Sequence, residues 1–193
     1  QGVTTEINGQ CGMGIAPIKD ADKQSWREYI FGVFGQYPEV KFNWNTFGEY
    51  LDVVEKVNPT INVGYLVTFG AARLMVMGTD SREPSSEELI RMEQIIDESM
   101  KSGALGMSLG MIYVPTVFAT DRELIETCKV VARNNGVLAS HIRNEGDNLL
   151  QSIQEAIDLS RESGVPFQIS HLKSFGKKNW HKDMDKALNM LES

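Results

Sequence analysis

The regular alternation of short apolar runs and amphipathic helical patterns is the sequence feature that most constrains the fold. Apolar runs at 104–110, 137–141 and 167–171 are separated by helical segments, in units of roughly 27 to 35 residues. This spacing is typical of parallel α/β proteins, in which a helix carries the chain back between neighbouring strands. Two earlier runs, at 2–7 and 60–70, raise the number of predicted strands to five.

Helix start and stop signals agree with this alternation. A Ser or Thr followed three positions later by Glu is a capping signature that begins a helix. It occurs at residues 46–49, 85–88 and 120–123. Asp147 is expected to open a further helix, which Gly164 and Pro166 end before the last apolar run.

The segment between the first two predicted strands, at about 19–59, is an insertion rich in aromatic residues. Nine aromatic residues fall between Trp26 and Tyr50. Long insertions between strands usually pack against the domain that carries them. We expect a small satellite core here, and a wall of a substrate pocket is the alternative.

Composition and charge narrow the function classes. A formal net charge of −7 and a pI of about 5.0 exclude the basic footprint of a nucleic-acid-binding or anionic-membrane-binding protein. The chain has two cysteines, Cys11 and Cys128, far apart, and no apolar run of about 18 or more residues. We therefore expect a cytoplasmic protein that acts on a small molecule and inserts into no membrane.

Two of the three histidines, His141 and His171, stand at the ends of neighbouring predicted strands, each after a serine. Functional groups of parallel α/β folds gather at the carboxyl ends of strands, so these imidazoles are expected to converge. Cys11 follows the first strand between glycines. One thiolate and two imidazoles form a zinc donor set that leaves a position for water, which predicts metal-assisted hydrolysis.

The alternative is that these residues are structural, because a buried histidine at a strand end is usually a hydrogen-bonded core residue and a lone cysteine is usually inert. Cys128 is such a case, since it lies on the apolar face of a predicted helix. His181 lies beside Trp180 and between lysines. We expect it on the surface and not at a metal.

A cation follows each histidine by two positions, Arg143 after His141 and Lys173 after His171. If the strands continue, these side chains point to the same side as the histidines and favour a substrate with a carboxylate. Solvent-facing cations in loops are the alternative. Glu145 and Asp147 are candidates for a general base, but they are expected instead at the amino end of the next helix, where negative charge is favoured.

Four long motifs resemble the N-acyl-D-amino-acid deacylases, the D-aminoacylase branch of the amidohydrolase superfamily. The motifs are GVTTEINGQCG, GALGMSLGMIYVP, LASHIRNEGDNLLQSIQEAI and PFQISHLKSFGKKNW. The resemblance implies a zinc-dependent (β/α)₈ TIM barrel, of which this chain holds the second to sixth of eight strands. It also implies that Cys11, His141 and His171 bind the metal. Lys173, Arg143 and Tyr113, the last within the second motif, are the candidate substrate-binding residues.

The departures from the family pattern concern catalysis. The family's His-x-His on the first strand would precede this chain, and the aspartate that serves as general base would follow it, so no catalytic base is expected within residues 1–193. Relatives often have Gly-His-Gly after the third strand, where this chain has Thr68-Phe69-Gly70. The chain begins without methionine, and we expect a single fragment of a catalytic barrel domain, inactive when isolated.

The resemblance implies a zinc amidohydrolase that converts an N-acyl-D-amino acid into a carboxylate and a free D-amino acid. A cyclic-amide hydrolase of the dihydroorotase or hydantoinase type is the alternative within the enzymes, and a non-catalytic metal-binding scaffold is the alternative outside them. The exposed edges of an incomplete barrel are expected to favour homo-oligomers.

Overall fold

Five parallel strands form one curled sheet in the computed structural model, which describes residues 2–35 and 41–192. Each strand pairs with the next one along the chain, in the order β1-β2-β3-β4-β5. The strands are β1 (Thr5–Asn8), β2 (Asn62–Thr68), β3 (Gly106–Gly110), β4 (Val137–His141) and β5 (Phe167–Ile169). With helices packed outside, this is part of a TIM barrel, and all five predicted strands are confirmed.

Seven α-helices connect or flank the strands within residues 2–35 and 41–192. They are α1 (Lys23–Phe34), α2 (Phe47–Val57), α3 (Phe69–Met77), α4 (Ser86–Lys101), α5 (Asp121–Arg133), α6 (Leu149–Ser163) and α7 (Met184–Glu192). The three predicted capping boxes are present at the starts of α2, α4 and α5. Gly164 ends α6 in the left-handed conformation, at φ 74°.

Helix α1 is not predicted from the sequence, and two further helices differ from what the sequence predicts. Helix α3 begins at Phe69, directly at the end of β2. The sequence does not predict it, because the apolar run continues from the strand into the helix without a polar residue between them. Helix α6 begins at Leu149 with Asn148 before it, so Asp147 lies outside its first turn. The carboxylate of Asp147 instead accepts from Lys178 Nζ at 2.7 Å and Asn179 Nδ2 at 2.8 Å.

The aromatic insertion packs into the main core of the sheet and its helices, so the expectation of a separate satellite core is wrong. Trp26 and Trp44 are 2% and 3% exposed and belong to the same buried cluster as the strands. Their indole N–H groups donate to the carbonyls of Gly14 and Ile15, in the segment that follows β1. Tyr37 and the side chains of Tyr29 and Phe34 fall outside the described part of the insertion.

A fully buried ion pair joins α3 to the start of α5. Arg73 Nε donates to Glu123 Oε1 at 3.0 Å, and both side chains are 0% exposed. The other guanidinium nitrogens donate to the carbonyls of Asp80 and Arg82, at 2.8 and 2.9 Å. One arginine thereby holds the loop between α3 and α4 against α5. Across residues 2–35 and 41–192, no helix combines the length and the apolar character needed to cross a membrane.

Candidate metal centre

The loop that carries Cys11 lies across the inner side of the curled sheet. Its backbone turns through positive φ at Gly9, Cys11 and Gly12, with values of 79°, 57° and 67°. The amide of Gly12 donates to Ser108 Oγ on β3 at 3.0 Å, and the Ser108 hydroxyl donates to the Gly9 carbonyl. A Cβ at Gly12 or Gly110 would overlap the facing backbone, so glycine at both positions lets the loop approach β3 closely.

His141 is the last residue of β4 and is 7% exposed. The parallel register places it beside Gly110, and its carbonyl accepts from the Met111 amide at 3.0 Å. Burial lowers the pKa of the imidazole below its ordinary value, against the charge of Glu145, which raises it; His171 and Lys173 add to the lowering. Nδ1 is buried and has no hydrogen-bond partner in the described part of the chain. A neutral ring with an unsatisfied buried nitrogen is suited to ligate a metal ion.

His171 lies two residues beyond β5 and has a left-handed backbone, with φ 38°. This turn directs the ring back toward the other two candidates. Nε2 is 3.3 Å from Cys11 Sγ, and the ring centroids of His171 and His141 are 4.5 Å apart. His171 therefore faces both the thiol and the imidazole that the sequence predicts beside it.

One donor atom from each of Cys11, His141 and His171 lies within 4.8 Å of the others. Burial and the charge of Glu145 raise the pKa of the Cys11 thiol, while Lys173 opposes them. One sulfur and two imidazole nitrogens suit zinc and similar transition metals. The donor set and the unpartnered Nδ1 of His141 therefore fit a metal ion.

Glu145 lies at the centre of this site, which corrects its expected place at the amino end of a helix. Its Oε1 is 2.9 Å from His171 Nδ1 and 2.5 Å from Lys173 Nζ. Its Oε2 is 3.7 Å from His141 Nε2, and the side chain is only 11% exposed. Glu145 follows His141 by four positions, but β4 ends at the histidine. Neither strand nor helix periodicity therefore predicts that the two side chains meet.

The three candidate substrate-binding residues lie near the metal-ligand candidates and differ in what they contact. Lys173 lines an open cleft of about 730 Å³ that also borders His141 and Glu145. The ring of half-buried Tyr113 packs edge-on against His141, with centroids 5.3 Å apart. Burial, followed by the charges of Cys11 and Glu145, raises the pKa of the Tyr113 phenol, so it stays protonated and can donate a hydrogen bond.

Arg143 also lines this cleft, but its guanidinium is held by contacts with other elements. β4 ends at His141, so the alternation that was expected to align Arg143 with His141 does not continue. Arg143 Nε is 3.0 Å from Glu155 Oε1 on α6, and Nη1 donates to the Val117 carbonyl at 3.2 Å. Both contacts tie Arg143 to neighbouring elements of the barrel wall.

The remaining residues singled out by the sequence lie elsewhere. Cys128 is fully buried on α5, where burial raises the pKa of its thiol, and it is a core residue as predicted. His181 is exposed. Phe69, which stands where relatives often have histidine, is fully buried at the start of α3. Thr68 before it is buried at the end of β2, and its hydroxyl has no partner among the described residues.

No protein-family model matches the sequence. Three curated proteins of Alcaligenes xylosoxydans xylosoxydans are similar to nearly the whole chain. D-aminoacylase is 32% identical over 100% of this chain and 38% of its own length. N-acyl-D-aspartate deacylase is 30% identical over 99% of this chain and 37% of its own length. N-acyl-D-glutamate deacylase is 29% identical over 98% of this chain and 38% of its own length. The chain thus spans well under half the length of these relatives.

Solved structures agree with these similarities. A crystal structure of D-aminoacylase, described as defining a novel subset of amidohydrolases, superposes with a TM-score of 0.85 at 31% identity and covers 100% of this chain and 40% of its own. N-acyl-D-glutamate deacylase from Bordetella bronchiseptica was solved with zinc and a phosphonate inhibitor. It superposes with a TM-score of 0.84 at 27% identity and covers 99% of this chain and 39% of its own.

The sheet and its helices define the chain as part of a TIM barrel of the amidohydrolase type. The chain is a homologue of the N-acyl-D-amino-acid deacylases, the D-aminoacylase branch of the amidohydrolases.

Proposed function

We propose that this chain supplies the metal-binding part of a zinc-dependent amidohydrolase that hydrolyses N-acyl-D-amino acids. The reaction adds water across the amide bond and yields a carboxylate and a free D-amino acid. Cys11, His141 and His171 would hold the zinc ion. When bound, zinc supplies positive charge that polarises an amide carbonyl and lowers the pKa of a water molecule.

The convergence of the three donor atoms within 4.8 Å is the observation that carries this proposal. The three residues come from the ends of three different strands, 160 positions apart at the extremes, and no core-packing need brings a thiol and two imidazoles together. The buried, unpartnered nitrogen of His141 is a second support, because such a group costs free energy unless a ligand satisfies it.

The substrate is proposed to enter through the open cleft beside Lys173. The ammonium group would hold the substrate carboxylate, and the protonated phenol of Tyr113 would donate a hydrogen bond to a substrate oxygen. The relatives support this substrate class, because two of them are deacylases of N-acyl-D-aspartate and N-acyl-D-glutamate and the third is a D-aminoacylase. Such relatives favour an open-chain amide over a cyclic one as the substrate.

We propose that residues 1–193 are one part of a single barrel domain, with the insertion at about 19–59 forming part of its wall. The family's first-strand histidines and its general-base aspartate are expected in a longer protein. The isolated chain would therefore bind zinc without turnover. Two free cysteines are in keeping with the cytoplasm as its compartment.

Elemental analysis of the purified chain tests the metal centre. We expect about one zinc per chain, lost in Cys11→Ser and His141→Ala and retained in Cys128→Ser, which removes the buried core thiol instead. Zinc content that neither site substitution changes contradicts the ligand assignment. For the enzyme class, a flanking gene sequence with His-x-His upstream and a strand-end Asp downstream supports catalysis, and its absence favours a non-catalytic scaffold.

A further inference from the structure

We propose that Glu145 is a positioning residue that orients both histidines of the metal centre, with one carboxylate oxygen facing each ring. This inference rests on the proposed metal centre and deepens it. A metal-binding imidazole usually donates its second ring N–H to a carboxylate, a backbone carbonyl or water, which sets the tautomer and the orientation of the ring. Here one buried carboxylate lies next to two such rings.

The contact with His171 defines which nitrogen is available to a metal. An ionised carboxylate only accepts hydrogen bonds, so the 2.9 Å contact requires a proton on His171 Nδ1. Nε2 is then left with its lone pair, 3.3 Å from Cys11 Sγ. Lys173 Nζ lies farther from Nδ1, at 3.2 Å, and has the closer Glu145 oxygen as its acceptor. The tautomer set by Glu145 is the one that a metal beside Cys11 needs.

The geometry around His141 is complementary. Nε2 faces Glu145 Oε2 at 3.7 Å, while Nδ1 is buried and has no hydrogen-bond partner among the residues that the structure describes. A proton on Nε2 is attracted by the carboxylate and leaves the lone pair on Nδ1. The two histidines thus use opposite ring nitrogens, and the same carboxylate favours the ligating tautomer of each.

Glu145 is itself held between the two strand-end loops. Its backbone carbonyl accepts from the Phe175 amide at 2.5 Å, and Lys173 Nζ compensates its charge. Asn144 Oδ1 accepts from the amides of Gly146 and Asn148, at 2.9 and 3.1 Å, which fixes the turn around Glu145. A carboxylate that is 11% exposed and anchored on both sides has little freedom to leave the imidazoles.

Zinc affinity, measured by competition with a chromophoric chelator, tests this role. We expect Glu145→Ala to weaken zinc binding by about tenfold to a hundredfold. Glu145→Gln is expected to lose less, because its amide oxygen still accepts from one ring. Asp147→Asn makes the same change of charge two residues away and should bind zinc like the wild type. Circular dichroism of each variant verifies that it is folded.

A second measurement reads the tautomers directly. In the metal-free chain, the imidazole ¹⁵N shifts of His171 should report a proton on Nδ1 in the wild type and a mixture in Glu145→Ala. Wild-type zinc affinity together with an unchanged tautomer in that variant overturns the inference and leaves the metal centre standing. A wild-type chain that binds no stoichiometric zinc overturns the metal centre, and this inference with it.

Discussion

Lys173 is the residue through which the site is expected to recognise an acidic ligand. Its side chain is 45% exposed at the cleft, and the nearest carboxylate, Glu145, already engages it. A substrate carboxylate would share or replace that contact. The guanidinium of Arg143 is less available for this role, because Glu155 and the Val117 carbonyl engage it.

Lys173→Met is therefore expected to weaken binding of an N-acetyl-D-amino acid to the zinc-loaded chain by about tenfold to a hundredfold, the usual worth of a hydrogen bond to a charged group. Isothermal titration calorimetry measures this affinity, and zinc content is determined in parallel so that loss of metal is recognised. Lys129→Met, on the outer surface of α5, is the control. Equal affinities of the two variants would contradict the role of Lys173.

Helices α3 and α5 are joined by the ion pair between Arg73 and Glu123, whose two side chains are both fully buried. Removing one partner therefore leaves an uncompensated charge without water. We expect Arg73→Met to lower the free energy of unfolding by about 3–5 kcal/mol. Urea denaturation followed by circular dichroism measures this loss.

The exposed pair of Lys129 and Glu126 on α5 serves as the control for that experiment, because partly exposed ion pairs contribute about 0–1 kcal/mol. Glu126→Gln should therefore have a small effect. A loss below about 1 kcal/mol in Arg73→Met would contradict the expected cost of leaving the Glu123 carboxylate buried without its partner.

Helix α4 begins with a capping box whose carboxylate is sensitive to acid. The Arg82 guanidinium, and then the Ser85 amide, lower the pKa of Glu88 to about 2 from an ordinary 4.5. Because the folded pKa is the lower one, this stabilisation is complete above pH 4.5 and is lost as the pH falls toward 2. The unfolding free energy should decline less steeply across this range in Glu88→Gln than in the wild type.

Urea denaturation at a series of pH values between 5 and about 2 measures that slope. Glu87→Gln makes the same charge change one residue earlier in the first turn and is the control. Identical slopes for the wild type and Glu88→Gln would show that the ion pair with Arg82 is not maintained in solution.

For the molecule as a whole, the open sheet leaves apolar surface at its edge. In the described part of the chain, β1 pairs with β2 alone, and Ile7 on β1 is 42% exposed. Unpaired edge strands favour association between copies. We expect the chain to self-associate with rising concentration in analytical ultracentrifugation, and Ile7→Lys to reduce this because charge blocks edge pairing.

Ile90 provides the matched control for the edge experiment, since it is 53% exposed on the outside of α4. Ile90→Lys should leave association unchanged. A monomer at every concentration, or equal effects of the two lysines, would contradict edge pairing.

The order of elements could be predicted from the sequence because its signals are local. Apolar runs define the strands, and Ser85 with Glu88 starts α4 through contacts three residues apart. Helix α3 escaped prediction because the run from β2 continues apolar into it. The pattern of apolar runs also places Cys11, His141 and His171 after three strands of one parallel sheet. Their convergence at one edge of the sheet is therefore predictable from the sequence.

Only the tertiary structure decided which polar side chains join those three. The end of β4 at His141 breaks the alternation, so Arg143 turns to Glu155 while Glu145 reaches the imidazoles. The positive φ of His171 likewise depends on the turn beyond β5 and not on strand periodicity. Beyond a strand end, contacts between loops that are distant in sequence determine where a side chain points. The sequence by itself therefore specifies the strands of the barrel and the candidate ligands. The tertiary structure determines which side chains surround those ligands.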